Sequence, residues 1–488
     1  MSADRPAAGG RPGAASGSPA RRRPADVQAA GRAAPGVARP PADRAPAGRA
    51  GARAVPGLSL PGRKAAPRGS ARRGAARLPQ RLREAWDRPL TAYYVILGAG
   101  LLITVLGLVM VYSASQIVAL QNGLPSTFYF RKQLLAVAIG AVLLWAAARL
   151  PVKLHRALAY PLLLGAVFLM VLVQVPGIGQ TVNGNTNWIS IGGPFQLQPS
   201  EFGKLALAMW GADLLARKGD KNLLVQWKHL LVPLVPVAVL LLGLIMLGGD
   251  MGTAMILTAV LFGMLWLAGA PTRLFSGVLA GAAALGALAI GTNSNRMSRL
   301  HCIAATDPDH GCWQAVHGIY ALASGGWFGS GLGASVEKWG ELPEPHTDFI
   351  FAVTGEELGL AGTLSVLALF AALGYAGIRV AGRTEDPFVR FAAGGVTTWI
   401  TVQAVINIGA VLGLLPIAGV PLPLFSYGGS AILPTMFAIG LLISFARSEP
   451  AARAALAVRG RKRRTNPLTG AVRRTMRRHA GRRPSGER

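Results

Sequence analysis

The first 88 residues contain no apolar run and show no apolar periodicity. This absence excludes a packed core in that segment, which is built largely from Ala, Gly, Pro and Arg, and we expect it to be disordered. It also argues against a cleavable signal peptide, which needs a short apolar stretch near its start.

Acidic residues are scarce: 21 Asp and Glu stand against 50 Lys and Arg, so the net charge is +29. No nucleic-acid recognition motif accompanies this charge, and we predict no nucleic-acid partner. Much of the charge lies in two tails, residues 1–88 and 447–488, and we expect both tails to be disordered. Basic tails beside a membrane are attracted to anionic lipid, so we expect membrane lipids to contact them.

Long apolar runs make up much of the rest. The chain is 51% hydrophobic with a mean hydropathy of +0.40, and stretches of about 20 apolar residues, enough to span a bilayer, recur along it. We predict an all-α polytopic membrane protein with a transmembrane domain over residues 89–446. About ten spans are expected, at approximately residues 92–114, 133–149, 157–175, 201–216, 229–247, 252–269, 274–291, 349–378, 391–414 and 428–446.

The loops between these spans alternate in charge. The basic set contains Arg149, Lys153, Arg156, Arg217, Lys218, Lys221, Lys228, Arg273, Arg379, Arg383 and Arg390. Basic loops of membrane proteins stay in the cytoplasm, so we predict that this set and both termini are cytoplasmic. The large loop over residues 292–347, between the seventh and eighth spans, is then extracellular, and so is Asp348.

Five cations depart from this pattern because they lie on the predicted outer side. They are Arg131, Lys132, Arg296, Arg299 and Lys338. Each alone is explained by a lipid headgroup or a structural ion pair. Together they indicate an anionic ligand on that face.

The only two cysteines, Cys302 and Cys312, lie in the same outer loop. Disulfides persist outside the cytoplasm, and we favour a disulfide over two free thiols. A metal site with the neighbouring histidines is the less favoured alternative.

Three polar strings interrupt the apolar pattern: LPEPHTDFIFA at 342–352, GEELG at 355–359 and PLPLFSYGGSA at 421–431. In this order they resemble the SEDS family (shape, elongation, division and sporulation), over roughly residues 92–446. The resemblance implies a ten-helix fold and a peptidoglycan glycosyltransferase that polymerises lipid II on the outer face of the cytoplasmic membrane. The basic tails favour the division branch, at the septum, over the elongation branch. The family works with a class B penicillin-binding protein and other division proteins.

The residue that aligns with the functional aspartate of this family is Asp348. A sugar hydroxyl is a weak nucleophile, so a positioned carboxylate can serve as its general base. Direct displacement by that hydroxyl inverts the anomeric centre. We expect Thr347 to cap the next helix and Asp348 to lie in its first turn, where the bland alternative is a carboxylate that only stabilises the helix start.

The leaving pyrophosphate needs positive charge, and the five outer cations are its candidate ligands. We expect no obligatory cofactor. A divalent cation, Mg²⁺ or Mn²⁺, shared by Asp348 and the pyrophosphate is left open. Glu344 and His346 are close enough in sequence to assist.

Other candidates lie further away. Glu201 and Lys204 share one helix face, either lining a cavity or forming a structural ion pair. Gly355 and Gly359 are predicted to pack helices. Residues 426–430, which include Ser426, Gly428 and Gly429, are expected to form a re-entrant or unwound outer segment, which is tolerable only where it is buried or wet. Its hydroxyls either contact sugar or cap a helix. The alternative functions are a lipid II flippase, an elongation-type polymerase and a non-catalytic scaffold.

Overall fold

The computed structural model describes residues 88–182, 184–192, 195–221, 223–291, 297, 302–303 and 312–464. The prediction of a disordered N-terminal tail falls almost entirely outside these residues, as does the C-terminal tail from residue 465.

The described chain is mainly helical. Its helices are α1 (Thr91–Gln121), α2 (Phe128–Arg149), α3 (Val152–Val173), α4 (Pro199–Asp220), α5 (Trp227–Leu231), α6 (Leu234–Leu247), α7 (Met251–Leu267), α8 (Thr272–Gly291), α9 (Trp313–Ser324), α10 (Ile350–Arg383), α11 (Pro387–Val411), α12 (Gly429–Ser448) and α13 (Pro450–Arg464). The all-α membrane fold predicted from the apolar runs is confirmed.

Seven membrane-length apolar segments lie within the described residues: α1, α2, α3, Lys228–Leu247, α10, α11 and α12. Helix α7 and the Thr272–Leu288 part of α8 are apolar but shorter. The predicted fourth span, α4, carries several charges, and it tolerates them because most of its side chains from Pro199 to Ala216 are buried in protein. The count of ten spans stays a prediction.

Helix α11 lies at the centre of the bundle. It packs against α4, α7 and α10, while α1 packs on α10 and α2 packs on α12. Most of its side chains are buried, including the amides of Gln403 and Asn407. A buried amide needs hydrogen-bond partners, so these two side chains mark where irregular backbone approaches the helix.

The helix α10 is interrupted at Gly359, whose φ of 67° and ψ of −164° are not helical. A side chain there would lie 2.4 Å from the Gly329 nitrogen and 2.7 Å from the Phe328 nitrogen, so only glycine fits. The expectation that Gly355 and Gly359 both pack helices is therefore half right. Gly355 contacts Leu322 of α9, whereas Gly359 breaks the helix to admit a loop.

That loop satisfies the backbone groups released by the break. The N–H groups of Ser330 and Gly331 donate to the carbonyls of Glu356 and Glu357, at 2.9 and 3.1 Å. In the other direction, Leu360 N–H donates to Gly326 O at 2.9 Å. A helix break in a membrane protein is stable when such partners are present.

A three-stranded antiparallel sheet, which the sequence did not predict, joins α3 to α4. Its strands are β1 (Gly179–Val182), β2 (Asn185–Gly192) and β3 (Phe195–Leu197), in the order β1-β2-β3. The N–H of Thr186 donates to Gly248 O at 3.0 Å, which ties the sheet to the turn between α6 and α7.

The start of the C-terminal tail corrects the prediction of disorder. Residues 450–464 form α13, which begins at Pro450 and is rich in Ala and Arg. Both residues have high helix propensity, and proline suits a first helical position.

Candidate functional site

The segment containing Asp348 is a compact turn that leads into α10. Glu344 has a positive φ of 51°, and residues 345–349 turn before the helix begins at Ile350. Asp348 therefore precedes the helix instead of lying in its first turn. The prediction of a Thr347 cap is wrong, because its hydroxyl donates to Glu344 O and to Glu344 Oε2, at 3.3 and 3.0 Å.

The Asp348 side chain is half-buried at a small cleft. The cleft is lined by Asp348, Phe349, Asn407, Ala410, Val411 and residues 417–420. Gly419 has a φ of +64°, and a side chain there would lie 3.6 Å from Asp348 Oδ2. The carboxylate thus faces a glycine backbone and remains reachable from the cleft.

The amide of Asn407 fixes the backbone beside this carboxylate. Its Nδ2 donates to Asp348 O and to Val420 O, both at 2.8 Å. One side chain of α11 therefore holds the turn before α10 against the segment that follows α11. Both acceptors would be left short of a donor without it, so Asn407 sets the position of Asp348.

The segment between α11 and α12, residues 412–428, is unwound. It is longer than the predicted unwound segment 426–430, of which Gly429 and Ser430 belong to α12. Val420, Leu422, Phe425 and Ser426 in it are buried. A side chain at Gly107 of α1 would lie 2.6 Å from Phe425 O, so the small residue admits the segment. The segment is tolerated at this depth because protein surrounds it.

Two glutamines form hydrogen bonds with the backbone of the unwound segment. Gln403 Nε2 donates to Pro421 O at 2.8 Å. Gln133 Nε2 donates to Ser426 O at 3.2 Å, and Gln133 Oε1 accepts from Gly428 N–H at 3.1 Å. Sequence reasoning missed Gln133, Gln403 and Asn407, although amides inside apolar helix patterns were a usable signal.

The candidate sugar-contacting residues of this segment have internal roles. Ser426 Oγ accepts from Leu422 N–H at 2.8 Å, and Gly429 begins α12 with Gly428 before it. The predicted substrate role of these three residues stays a prediction.

Glu201 and Lys204 form a buried ion pair with Lys204 Nζ 2.7 Å from Glu201 Oε1. Lys204 Nζ also donates to Gln403 Oε1 at 2.8 Å, and it lies 5.3 Å from the centre of the Trp399 ring. Because Gln403 holds Pro421, the pair is connected to the unwound segment. This arrangement fits the structural alternative, and a role in substrate binding stays a prediction.

Lys338 is buried in a similar network. Its Nζ lies 2.7 Å from Glu357 Oε1, and it donates to Gly333 O at 2.8 Å and to Ser113 Oγ at 3.2 Å. Ser113 also donates to Glu357 at 2.7 Å. All three ammonium hydrogens have partners, so a pyrophosphate contact would have to displace one of them.

Glu356, the residue before Glu357, binds the loop that carries Lys338. Its Oε1 accepts from Val336 N–H at 2.6 Å, and its Oε2 accepts from Ser335 Oγ at 2.5 Å. The string GEELG thus supplies two buried carboxylates that hold residues 333–338. Sequence reasoning did not predict this role for Glu356 and Glu357.

His346 lies in an aromatic cluster with Tyr129 and Tyr427. The ring centres are 4.9 Å apart for His346 and Tyr129, and 5.2 Å for His346 and Tyr427. Burial lowers the pKa of His346, against an opposing effect of Glu344. Burial also raises the pKa of Tyr427 to about 12, with a further contribution from Tyr129. Both side chains are therefore neutral near pH 7.

The remaining outer cations differ in environment. Arg131 is exposed, and Lys132 Nζ lies 4.4 Å from the centre of the Phe128 ring. Arg296 and Arg299 lie outside the described residues. Cys302 and Cys312 form a disulfide with Cα atoms 5.1 Å apart.

A divalent cation would find few protein ligands at this site. Within the residues that the structure describes, no three His, Cys, Asp or Glu side chains come together as a metal site. A cation at Asp348 would therefore need oxygens from a phosphate group, and its presence stays a prediction.

Comparison with known proteins identifies the family. Residues 93–450 match the sequence model of the FtsW, RodA and SpoVE family, described as cell cycle proteins. The chain belongs to this family. It is the SEDS family that the polar strings predicted, so that prediction is confirmed. The match covers all the site residues described above, from Ser113 to Gly429.

Individual members of this family are similar to the chain over most of its length. A probable peptidoglycan glycosyltransferase FtsW of Mycobacterium tuberculosis is 41% identical over 388 residues, covering 79% of this chain and 73% of that protein. The stage V sporulation protein E of Bacillus subtilis is 36% identical, covering 71% and 94%.

Solved structures of the family share the fold. The Thermus thermophilus rod shape determining protein RodA gives a TM-score of 0.53 at 26% identity, covering 73% of this chain and 97% of that one. A chain of a peptidoglycan synthase complex that coordinates polymerization and crosslinking gives 0.57 at 26% identity, covering 72% and 96%.

Proposed function

We propose that this protein is a peptidoglycan glycosyltransferase that joins lipid-linked disaccharides into glycan strands at the outer face of the cytoplasmic membrane. The substrate is lipid II, and undecaprenyl pyrophosphate is the product released. Membership of the family and the names of its relatives support this reaction.

The observation that carries the proposal is the placement of Asp348. Its half-buried carboxylate lies at a cleft, and Asn407 holds its backbone through a 2.8 Å hydrogen bond. A general base must be held in place and still be reachable by the proton that it accepts. The cleft and the Asn407 amide meet these two requirements.

In the proposed reaction, a sugar hydroxyl of one lipid II attacks the anomeric carbon of another, and the bond to pyrophosphate breaks. The hydroxyl proton passes to the Asp348 carboxylate. One displacement inverts the anomeric centre. The departing pyrophosphate carries its own negative charge, so it needs cations more than a proton.

Two of the candidate cations suit that role by exposure. Arg131 is exposed and Lys132 is half-buried, so both can reach a lipid-linked anion. Lys338 is instead occupied by Glu357 and Ser113. Arg296 and Arg299 remain candidates, and Mg²⁺ or Mn²⁺ is a further source of charge.

The same proposal extends to partners and place. The 41% identity to FtsW of Mycobacterium tuberculosis favours a role in septal synthesis. The likeness to a chain of a complex that coordinates polymerization and crosslinking supports a class B penicillin-binding protein as partner, within the division machinery. Both termini are proposed to lie in the cytoplasm.

Glycan polymerisation from purified lipid II tests the proposal. The wild type, Asp348→Asn and Glu341→Gln are compared with and without a cognate class B penicillin-binding protein. Glu341 is an exposed carboxylate seven residues upstream, so its variant controls for the loss of a nearby charge. We expect polymer from the wild type and the control, and none from Asp348→Asn.

Three results would contradict this. Polymer from folded Asp348→Asn would remove Asp348 as the base. Transfer of labelled lipid II across liposomes without any polymer would favour a flippase. The absence of both polymerisation and transfer would favour a scaffold.

A further inference from the structure

The loop that enters the break in α10 carries a row of exposed apolar side chains. We call residues 325–339 the aromatic segment. The exposed fractions are 73% for Trp327, 85% for Phe328, 60% for Leu332, 70% for Val336 and 65% for Trp339. A contiguous apolar surface of this kind marks a contact with a membrane or another protein.

The outward face of the aromatic segment carries no exposed charge. Lys338 is buried against Glu357, and Glu337 is largely covered while it pairs with His317. These are its two charged residues. A surface that pairs its charges inward and presents aromatic rings outward suits the boundary between headgroups and acyl chains.

The position of the segment along α10 indicates its depth. Residues 360–383 follow the break, and at about 1.5 Å per residue they extend about 36 Å, enough to cross a bilayer core of about 30 Å. Leu360 at the start of this half is then near the outer boundary. Ala361 N–H donates to Trp327 O at 3.1 Å, so Trp327 lies at the same level.

The apolar surface continues from the segment onto the helix. Leu360, Leu364 and Leu367 of α10 are 41%, 52% and 37% exposed, and they belong to a helix apolar enough to cross the membrane. The spacing of four and three residues places them on one face. The exposed rings therefore extend an exposed apolar face of a membrane-length helix.

We propose that the aromatic segment inserts into the outer leaflet, with Trp327, Phe328 and Trp339 between the lipid headgroups and the acyl chains. The hydrogen bonds to α10 and the ion pair of Lys338 with Glu357 fix it there. Leu342 N–H donates to Glu337 O at 2.9 Å, which connects the segment to the turn that carries Asp348. If the proposed function holds, the segment sets the height of Asp348 above the bilayer.

Depth-dependent fluorescence quenching tests this without any substrate. Both native cysteines are in a disulfide, so a single new cysteine can be labelled selectively. The labelled variants are Phe328→Cys and Trp339→Cys, with Leu364→Cys as the reference within the hydrocarbon and Glu341→Cys as the aqueous reference. The protein is placed in phosphatidylethanolamine and phosphatidylglycerol vesicles with nitroxide-labelled lipids, and iodide is the aqueous quencher.

We expect labels at 328 and 339 to lose most of their fluorescence to nitroxides placed near the headgroup end of the acyl chain. The label at 364 should respond most to deeper nitroxides, and the label at 341 to iodide. Equal iodide quenching at 328, 339 and 341, without lipid quenching, would overturn the proposal. Shielding from iodide that requires an added class B penicillin-binding protein would also overturn it, in favour of protein docking. Because the readout is depth, the result is independent of whether lipid II is polymerised.

Discussion

Removing the Lys338 ammonium is expected to destabilise the protein strongly. In Lys338→Met, the Glu357 carboxylate stays fully buried and keeps only Ser113 as a partner among its described contacts. Breaking a buried ion pair by removing one partner costs about 3–5 kcal/mol, because an uncompensated charge remains. Gly333 O also loses a donor.

The matched double variant, Lys338→Met with Glu357→Gln, should recover most of that loss. Glutamine keeps the shape of the side chain and can still accept from Ser113, but it brings no buried charge. Replacing both members of a buried pair is often neutral, so we expect a favourable coupling energy of about 2–3 kcal/mol.

The assay is a double-mutant cycle in detergent, with unfolding followed by denaturant titration, and with glycan polymerisation measured on each folded variant. If Lys338 positions the turn before α10, activity should return together with stability in the double variant. If Lys338 binds pyrophosphate, stability should return while activity stays lost.

Arg131→Gln serves as the control, since that exposed side chain should leave stability unchanged. A loss below about 1 kcal/mol in Lys338→Met, or a double variant no more stable than the sum of the singles, would refute the reasoning about the buried pair.

Three other changes test neighbouring features. Asn407→Ala should cost about 1–3 kcal/mol and reduce polymerisation, because the carbonyls of Asp348 and Val420 lose their donor; unchanged activity in a folded variant would exclude a positioning role. Gly359→Ala should cost at least about 1–3 kcal/mol because of its positive φ, whereas Gly382→Ala, which has open space on the same helix, should be neutral or slightly stabilising in the same titration. His346→Phe should reduce the fall in melting temperature below pH 6.5. The pKa of His346 is lower in the folded protein than in the unfolded chain, so the unfolded chain binds a proton first as the pH falls. Acid therefore destabilises the wild type through this group, and the variant lacks the effect. An identical pH profile in the variant would show that His346 does not contribute.

Local patterns predicted the fold class and that Asp348 lies where a polar loop meets an apolar helix, although they put it inside the first turn instead of before the helix. Apolar runs report helices that must face lipid or protein, and an ionisable residue at the end of such a run is conspicuous. The same patterns missed the break at Gly359, although the predicted span 349–378 was long for one crossing. The break depends on a loop that arrives from residues 326–331, and no local periodicity encodes that arrival.

The roles of the other site residues depended on partners far away in the chain. Glu357 meets Ser113, which is 244 positions away, and Gln133 meets Ser426, which is 293 positions away. A charge or amide in a sequence shows only that a partner is needed. It does not show whether that partner is protein or substrate.

The sequence by itself determined that this chain enters a membrane, that it belongs to a glycan-polymerising family by its motifs, and that Asp348 lies where a polar loop meets an apolar helix. Hydrophobic content and motif order are local properties, so they can be read without a fold. Only the tertiary structure decided that Asn407 holds the Asp348 backbone, that Lys338 is committed to Glu357, and that the aromatic segment is exposed beside α10. Those outcomes depend on which side chains meet across the bundle, because in its interior a buried polar group is stable only with a partner.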